Sequence, residues 1–169
     1  MAGLDVAPQV RTEATTLTLN GAAVRSGRGG HSEYLVALYL ERPTPDAERI
    51  LASEQPTRIQ MTFLDRFSAL RIARELLDEL SMNVEPQALA RIKPQVDQLT
   101  GLAPRQFMRG DQIELDYLPG QGTQVAINGA VLGILPGREL YTALLSLWLG
   151  PRPVSRDFKA ALLERGSVP

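Results

Sequence analysis

The period of apolar and polar positions changes several times along this chain, and each change predicts an element. The clearest passage runs from Asp116 to Lys159, DYLPGQGTQVAINGAVLGILPGRELYTALLSLWLGPRPVSRDFK. Asn128-Gly129 stands between the apolar-rich runs Thr123–Ile127 and Ala130–Leu135. Both residues tolerate positive φ, so the spacing predicts a tight β-hairpin. After Pro136-Gly137 the period moves from about two to about 3.6. Leu140, Leu144, Leu147 and Trp148 then share one face of an amphipathic helix, widened by Leu145 and Leu149. Gly150-Pro151 ends it, because glycine accepts a left-handed cap and proline cannot continue the helix. A further helix is predicted from Ser155 to Arg165, with Ser155 as its N-cap.

Upstream, residues 5–19 alternate loosely and predict two edge-like strands, the second at Thr15–Leu19 with its β-branched threonines. Asn20-Gly21 is a second turn signal. Ala22–Arg25 then leads into SGRGG, with three glycines between residues 27 and 30. No Gly-Lys-Ser/Thr triplet follows and no helix opens behind it, so this is turn chemistry rather than a phosphate loop. Glu33–Glu41, EYLVALYLE, is nearly continuous in apolar residues and fits a central strand buried on both faces. Tyr39 belongs to that buried run as a core residue. Thr44-Pro45-Asp46 starts a short helix through Ala52, with Pro45 in its first turn. Thr57–Phe63 alternates as a strand with one wet face.

Asp65 is the expected cap of a helix reaching Leu80, with Leu70, Ala73, Leu77 and Leu80 as its apolar stripe and Arg71, Glu75 and Asp78 mostly outside. Pro86 opens another helix, Leu89, Ile92, Val96 and Leu99 on one face, which Pro94 is expected to kink or split and Gly101 to end. Ala103–Met108 and Gln112–Tyr117 supply strands around a turn at Gly110. Strands, helices, strands and helices in that order give an α+β fold with an antiparallel sheet covered on one face. No linker composition appears, so residues 1–169 are read as one domain.

Composition narrows the function classes. The 169 residues are 44% hydrophobic, enough for one good core. Lys and Arg number 18 against 19 Asp and Glu, and the basic residues are scattered, which offers no footprint for nucleic acid. There is no cysteine, hence no disulfide, thiol nucleophile or thiolate metal site. With one histidine and no acidic cluster, no metal site is expected. No run approaches the roughly 18 apolar residues of a membrane span, and the N-terminus lacks the basic and apolar regions of a signal peptide.

Four segments carry a resemblance. LNGAAVR at Leu19–Arg25, VALYLE at Val36–Glu41, LDYLPGQGTQVAINGAVLG and LWLGPRPVSRDFKAALL stand in the order found in the bacterial branch of the chalcone isomerase-like family. The chain resembles that branch from about Val6 to Leu163. The resemblance implies an open-faced β-sandwich, a large curved antiparallel sheet with a layer of helices on one face. In the plant enzymes of the family a flavonoid is cyclised in the cleft between the two layers. Arg25 matches the arginine that holds the phenolate. Tyr34 falls where those enzymes have a threonine, Phe67 and Arg74 fall near a tyrosine and an asparagine, and Leu147 replaces a polar residue. A phenylalanine ring cannot donate the proton or hydrogen bond of the lost hydroxyl, so no catalytic residue is assigned.

Non-enzymatic plant relatives bind fatty acids, and an arginine with a neighbouring tyrosine holds the carboxylate at the end of an apolar tunnel. Arg25 and Tyr34 reproduce that pair, and a guanidinium can clamp a carboxylate through two hydrogen bonds. The reading reached from the sequence is therefore a non-catalytic binder of an apolar molecule with an acidic head, a fatty acid, with Arg25, Tyr34, Phe67, Arg74 and Leu147 lining the cleft. Arg74 would add a second cation there. No cofactor is expected. The alternatives are an isomerase of unknown substrate, or a haem protein with His31 as axial ligand, since some relatives carry haem. Trp148 is read as a core anchor. Met1-Ala2 ahead of Gly3-Leu4-Asp5-Val6 looks like the junction left by a removed export signal, which bacterial members often carry. The expected location is the periplasm, with a native cytoplasmic start as the alternative.

Overall fold

The computed structural model describes residues 4–169, and the expected export junction at its N-terminal side lies outside the described residues. Three strands come first, β1 (Gln9–Arg11), β2 (Thr16–Ser26) and β3 (Ser32–Leu40), followed by α1 (Ala47–Ala52) and β4 (Thr57–Phe63). A two-residue strand β5 (Phe67–Ser68) leads into α2 (Ala69–Asn83) and α3 (Pro86–Gly101). The second half holds β6 (Gln106–Phe107), β7 (Gln112–Leu118), β8 (Gly122–Ile127) and β9 (Ala130–Pro136), then α4 (Glu139–Leu149) and α5 (Arg156–Leu163). Seven strands form one curled antiparallel sheet in the order β1-β2-β3-β4-β7-β8-β9, and β5 pairs with β6 apart from it. This is the α+β architecture expected, with the helices gathered against one face of the sheet.

Strand β3 shows why the sheet is built this way. Its alternate residues Tyr34, Val36, Leu38 and Leu40 point into the main core under the helices. Leu35, Ala37 and Tyr39 point the other way, into a smaller cluster with Leu17, Leu19 and Ala22. Leu4, Val6 and Val10 of the N-terminal segment pack on that cluster, and the Tyr39 hydroxyl donates to the Ala7 carbonyl at 2.9 Å. Burial on both faces follows the continuous apolar run. Farther along, the outer face of β4 and β7 is polar, with Arg58 bound to Asp116 and Glu114.

The hairpin between β8 and β9 is closed by Asn128 at φ 50° and Gly129 at φ 82°, the pair of positive φ values that a type I′ turn needs. The Asn128 side chain accepts from the Gln112 amide at 2.8 Å, which ties the turn to β7. Helix α4 is more than amphipathic. Leu140, Tyr141 and every residue from Ala143 to Leu149 are buried, because α4 lies in the middle of the helical layer against α1, α2, α3 and α5.

Four local expectations give way to tertiary packing. Asn20-Gly21 makes no turn: β2 runs through it, with a register shift between Leu19 and Gly21. The buried Asn20 side chain donates to the Leu162 carbonyl at 2.8 Å and accepts from the Thr44 amide at 2.8 Å. A Cβ on Gly21 would run into the Ala161 and Leu162 carbonyls, so the glycine there serves the close approach of α5. Helix α2 begins at Ala69 with Ser68 rather than Asp65 as its cap, because Phe67 and Ser68 are held by β6. Leu70 consequently falls in the first turn, 62% exposed. Pro94 leaves α3 continuous; it and Ala90, whose carbonyl it cannot satisfy, are both exposed, so water can meet the orphaned oxygen. Pro45 precedes α1, which Asp46 caps by accepting from the Arg49 amide. No helix among the described residues is long and apolar enough to cross a membrane.

Candidate functional site

The curl of the sheet and the helices against it leave a cavity of about 120 Å³. Its walls are apolar. Ile59, Met61, Phe63, Ile113, Leu115, Val125 and Ile127 come from the sheet, and Ile72, Leu76, Leu99, Leu144 and Leu147 from α2, α3 and α4. Alternation places these sheet residues on the inner face, with Arg58, Gln60 and Thr62 on the outer one.

At one end the walls become polar. Arg25 and Tyr34 are directly paired across β2 and β3, near the glycine-containing turn that joins those strands. Arg25 Nη1 donates to the Tyr34 hydroxyl at 3.1 Å and to Glu79 Oε1 of α2 at 2.7 Å. Its Nε lies 3.8 Å from Glu33. The Tyr34 oxygen accepts from Arg25 and so keeps its own proton to give. Trp148 of α4, 4% exposed, lines the same cavity; its buried indole N–H is close enough to the Tyr34 oxygen to pull that phenol's pKa down, yet makes no hydrogen bond of full geometry. A buried donor so poorly satisfied is costly unless something else meets it.

Charge at this end is set by burial and pairing. Burial works against the Arg25 charge, but Tyr34 and Glu79 more than reverse it, and its pKa is held above the ordinary guanidinium value. Burial pushes the Tyr34 phenol up, with Arg25 pulling the other way, so it stays a neutral donor. Burial also raises the Glu79 carboxyl, which Arg25 only partly offsets. Of the ion pair, Glu79 is therefore the member that can surrender its charge.

The sequence model for a family described as chalcone isomerase-like matches residues 1–164. The chain belongs to the chalcone isomerase-like family. Among solved structures it is similar to a fatty-acid binding protein of Arabidopsis thaliana, with a TM-score of 0.68 and 14% identity over 92% of this chain and 96% of that one. At that identity the likeness concerns the fold. No curated protein sequence matches the chain.

Of the five residues that the chalcone isomerase-like resemblance points to, Arg25, Tyr34, Phe67 and Leu147 line the cavity. Arg74 does not. It is exposed on α2 and absent from the lining, because Ile72, Leu76 and Glu79 face inward and residue 74 is turned about 200° from residue 72. The second cation expected there is replaced by two carboxylates, Glu75 and Glu79. Arg71 is the neighbouring arginine that does structural work: it donates to Glu33 at 2.7 Å and Glu75 at 2.8 Å, and its guanidinium lies 4.1 Å from the Phe67 ring centroid.

His31 also leaves the picture. Its ring is half exposed in the β2–β3 turn, its Nδ1 donates to the Arg28 carbonyl at 2.9 Å, and it does not line the cavity, so it is not placed to ligate a haem held there. Glu79 and the Trp148 N–H were missed from the sequence. The signal for Glu79 was its spacing of seven and three from Ile72 and Leu76, visible once the helix phase is taken from those residues.

Proposed function

We propose that this protein binds, without transforming it, a slender apolar ligand whose oxygen-bearing head sits against Arg25, Tyr34 and Trp148, a molecule of the fatty-acid class. One observation carries the reading. At the polar end of an otherwise apolar cavity, the Tyr34 hydroxyl has a proton to give with no acceptor among the described residues, and the Trp148 indole N–H, turned toward the Tyr34 oxygen, makes no hydrogen bond of full geometry. A carboxyl or carbonyl oxygen would satisfy both, while the alkyl chain would replace empty space along Leu76, Leu99 and Leu144.

The apolar bulk favours a chain over a polar metabolite, and each buried methylene contributes about 0.8 kcal/mol. The cavity is close to the size that accepts a benzene ring, roughly 150 Å³. A long chain would therefore have to part α2 and α3 from the sheet at the Thr100 end. Phe67 supports binding over turnover, since it brings a ring without a hydroxyl against Tyr34, centroids 6.2 Å apart. The fatty-acid binding protein of similar fold supports the choice of ligand class.

Calorimetric titration with decanoic acid tests this. The expected result is saturation at about one ligand per chain, weakened about tenfold or more in a Tyr34→Phe, Trp148→Phe double variant, two hydrogen bonds being removed. Absence of saturable binding, or equal affinity in the double variant, refutes the proposal.

A further inference from the structure

The polar end of the cavity already contains a carboxylate. Glu79 lies on the guanidinium nitrogen that a ligand's acidic head is expected to use, 2.7 Å from Arg25 Nη1. The groups around it can be counted. Arg25 faces Glu79 from β2, Tyr34 and Glu33 stand on β3, and Trp148 approaches from α4. On α2 itself are Glu75, held with Glu33 by Arg71, and the exposed Asp78. Leaving Asp78 to solvent, Arg25 and Arg71 stand against Glu33, Glu75 and Glu79, two positive charges against three negative. The charges already at this end do not call for an anion.

A second ionised carboxylate placed beside Glu79 would put two like charges on one guanidinium in a partly buried, apolar-walled space. Like charges so close, with apolar walls around them, disfavour each other's ionisation, and the two carboxylates titrate as a pair that favours holding one shared proton. The two donors at this end, the Tyr34 O–H and the poorly satisfied Trp148 N–H, need only an oxygen lone pair and make no demand for charge.

We propose that Glu79 is a specificity-determining residue that fits the head site to a neutral oxygen acceptor, so that a carboxylic acid enters with one proton shared between its carboxyl group and Glu79, whereas a neutral-headed lipid enters without one. The proton comes from solvent, and no covalent bond is made or broken. The inference rests on the lipid-binding reading above. Burial, which raises the Glu79 carboxyl, acts in the same direction.

The measurement is calorimetry on the native chain at about pH 8, where free decanoic acid is ionised, in two buffers of different ionisation enthalpy. Decanoic acid is expected to bind with uptake of about one proton, its Kd weakening about tenfold per pH unit, and 1-decanol with uptake near zero. In Glu79→Gln the freed Arg25 meets the carboxylate directly. Proton uptake should then vanish, and the affinity for decanoic acid relative to 1-decanol should rise about tenfold or more.

Acid binding by the native chain without proton uptake overturns this inference and leaves the lipid-binding reading standing. So does an unchanged ratio in a folded Glu79→Gln. Binding of neither probe overturns both. The native-chain arm decides the matter even where the variant fails to fold.

Discussion

Arg58 on β4 and Arg25 on β2 lie on opposite faces of one sheet, each partly buried and each beside carboxylates. On the outer face, Arg58 donates Nε and Nη2 to the two oxygens of Asp116 at 2.7 and 2.8 Å, and its Nη1 lies 3.0 Å from Glu114. Every edge of that guanidinium is used. On the inner face a single nitrogen of Arg25 serves both Tyr34 and Glu79, Nε reaches only to 3.8 Å from Glu33, and the Trp148 N–H faces the Tyr34 oxygen without a hydrogen bond of full geometry. The same residue type in similar burial thus makes a saturated staple in one place and an under-satisfied cluster beside a cavity in the other. Saturation closes a site to ligands, because any newcomer must break a good bidentate pair. Unmet donors leave a ligand something to gain.

Breaking the saturated side should give the largest effect. Arg58→Met leaves Asp116 buried without its partner and is expected to cost about 3 kcal/mol of stability in urea unfolding, the penalty for orphaning a buried charge, with the Kd for decanoic acid unmoved. An equal loss of affinity would erase the distinction between the two faces. Arg25→Met should reverse the pattern. Decanoic acid affinity is expected to fall about ten- to a hundredfold, the weight of a hydrogen bond to a charged group, with a smaller stability loss than Arg58→Met because Glu79 can take up a proton.

Trp148→Phe sharpens the contrast at a single atom. It removes a donor that makes no hydrogen bond of full geometry within the protein, so binding should weaken about fivefold. Stability should change only by the repacking of a smaller ring, under about 1.5 kcal/mol. The smallest effect is in pH dependence. Glu79 is raised in the folded state, so the fold holds its proton more tightly than the unfolded chain does. Its contribution is most favourable below the ordinary carboxylate value, about 4.5, and is lost as pH rises through the folded pKa. The difference in Tm between the native chain and Glu79→Gln, followed against pH, should therefore drift in favour of Glu79→Gln as pH increases. A drift the other way would mean that the Arg25 pair outweighs burial.

Much of the architecture was legible before the fold was known. The Asn128-Gly129 hairpin, the alternating strand Thr57–Phe63 and the helix opened by Pro86 each depend on contacts within a few residues, and each stands where the periodicity put it. Of the positions to which the family resemblance pointed, 25, 34, 67 and 147 line the cavity. Arg74 failed because the face of α2 turned to the cavity is that of Ile72, Leu76 and Glu79, and not the face that begins at Leu70, which lies exposed in the first turn. Sequence pattern gives the phase of a helix only when its apolar stripe is unambiguous, and Leu70 competed with Ile72 for the same role.

By itself the sequence determined the order of elements, the turn chemistry at 128–129 and a central strand buried on both faces, because period and propensity act locally. Only the tertiary structure decided that Asn20-Gly21 would be a bulge under α5 instead of a turn, and that the ligand end of the cavity would hold its own carboxylate. Arg25 and Glu79 are 54 residues apart. No local period links them, and their pairing exists only because the packing of α2 over the curled sheet turns that face of the helix inward.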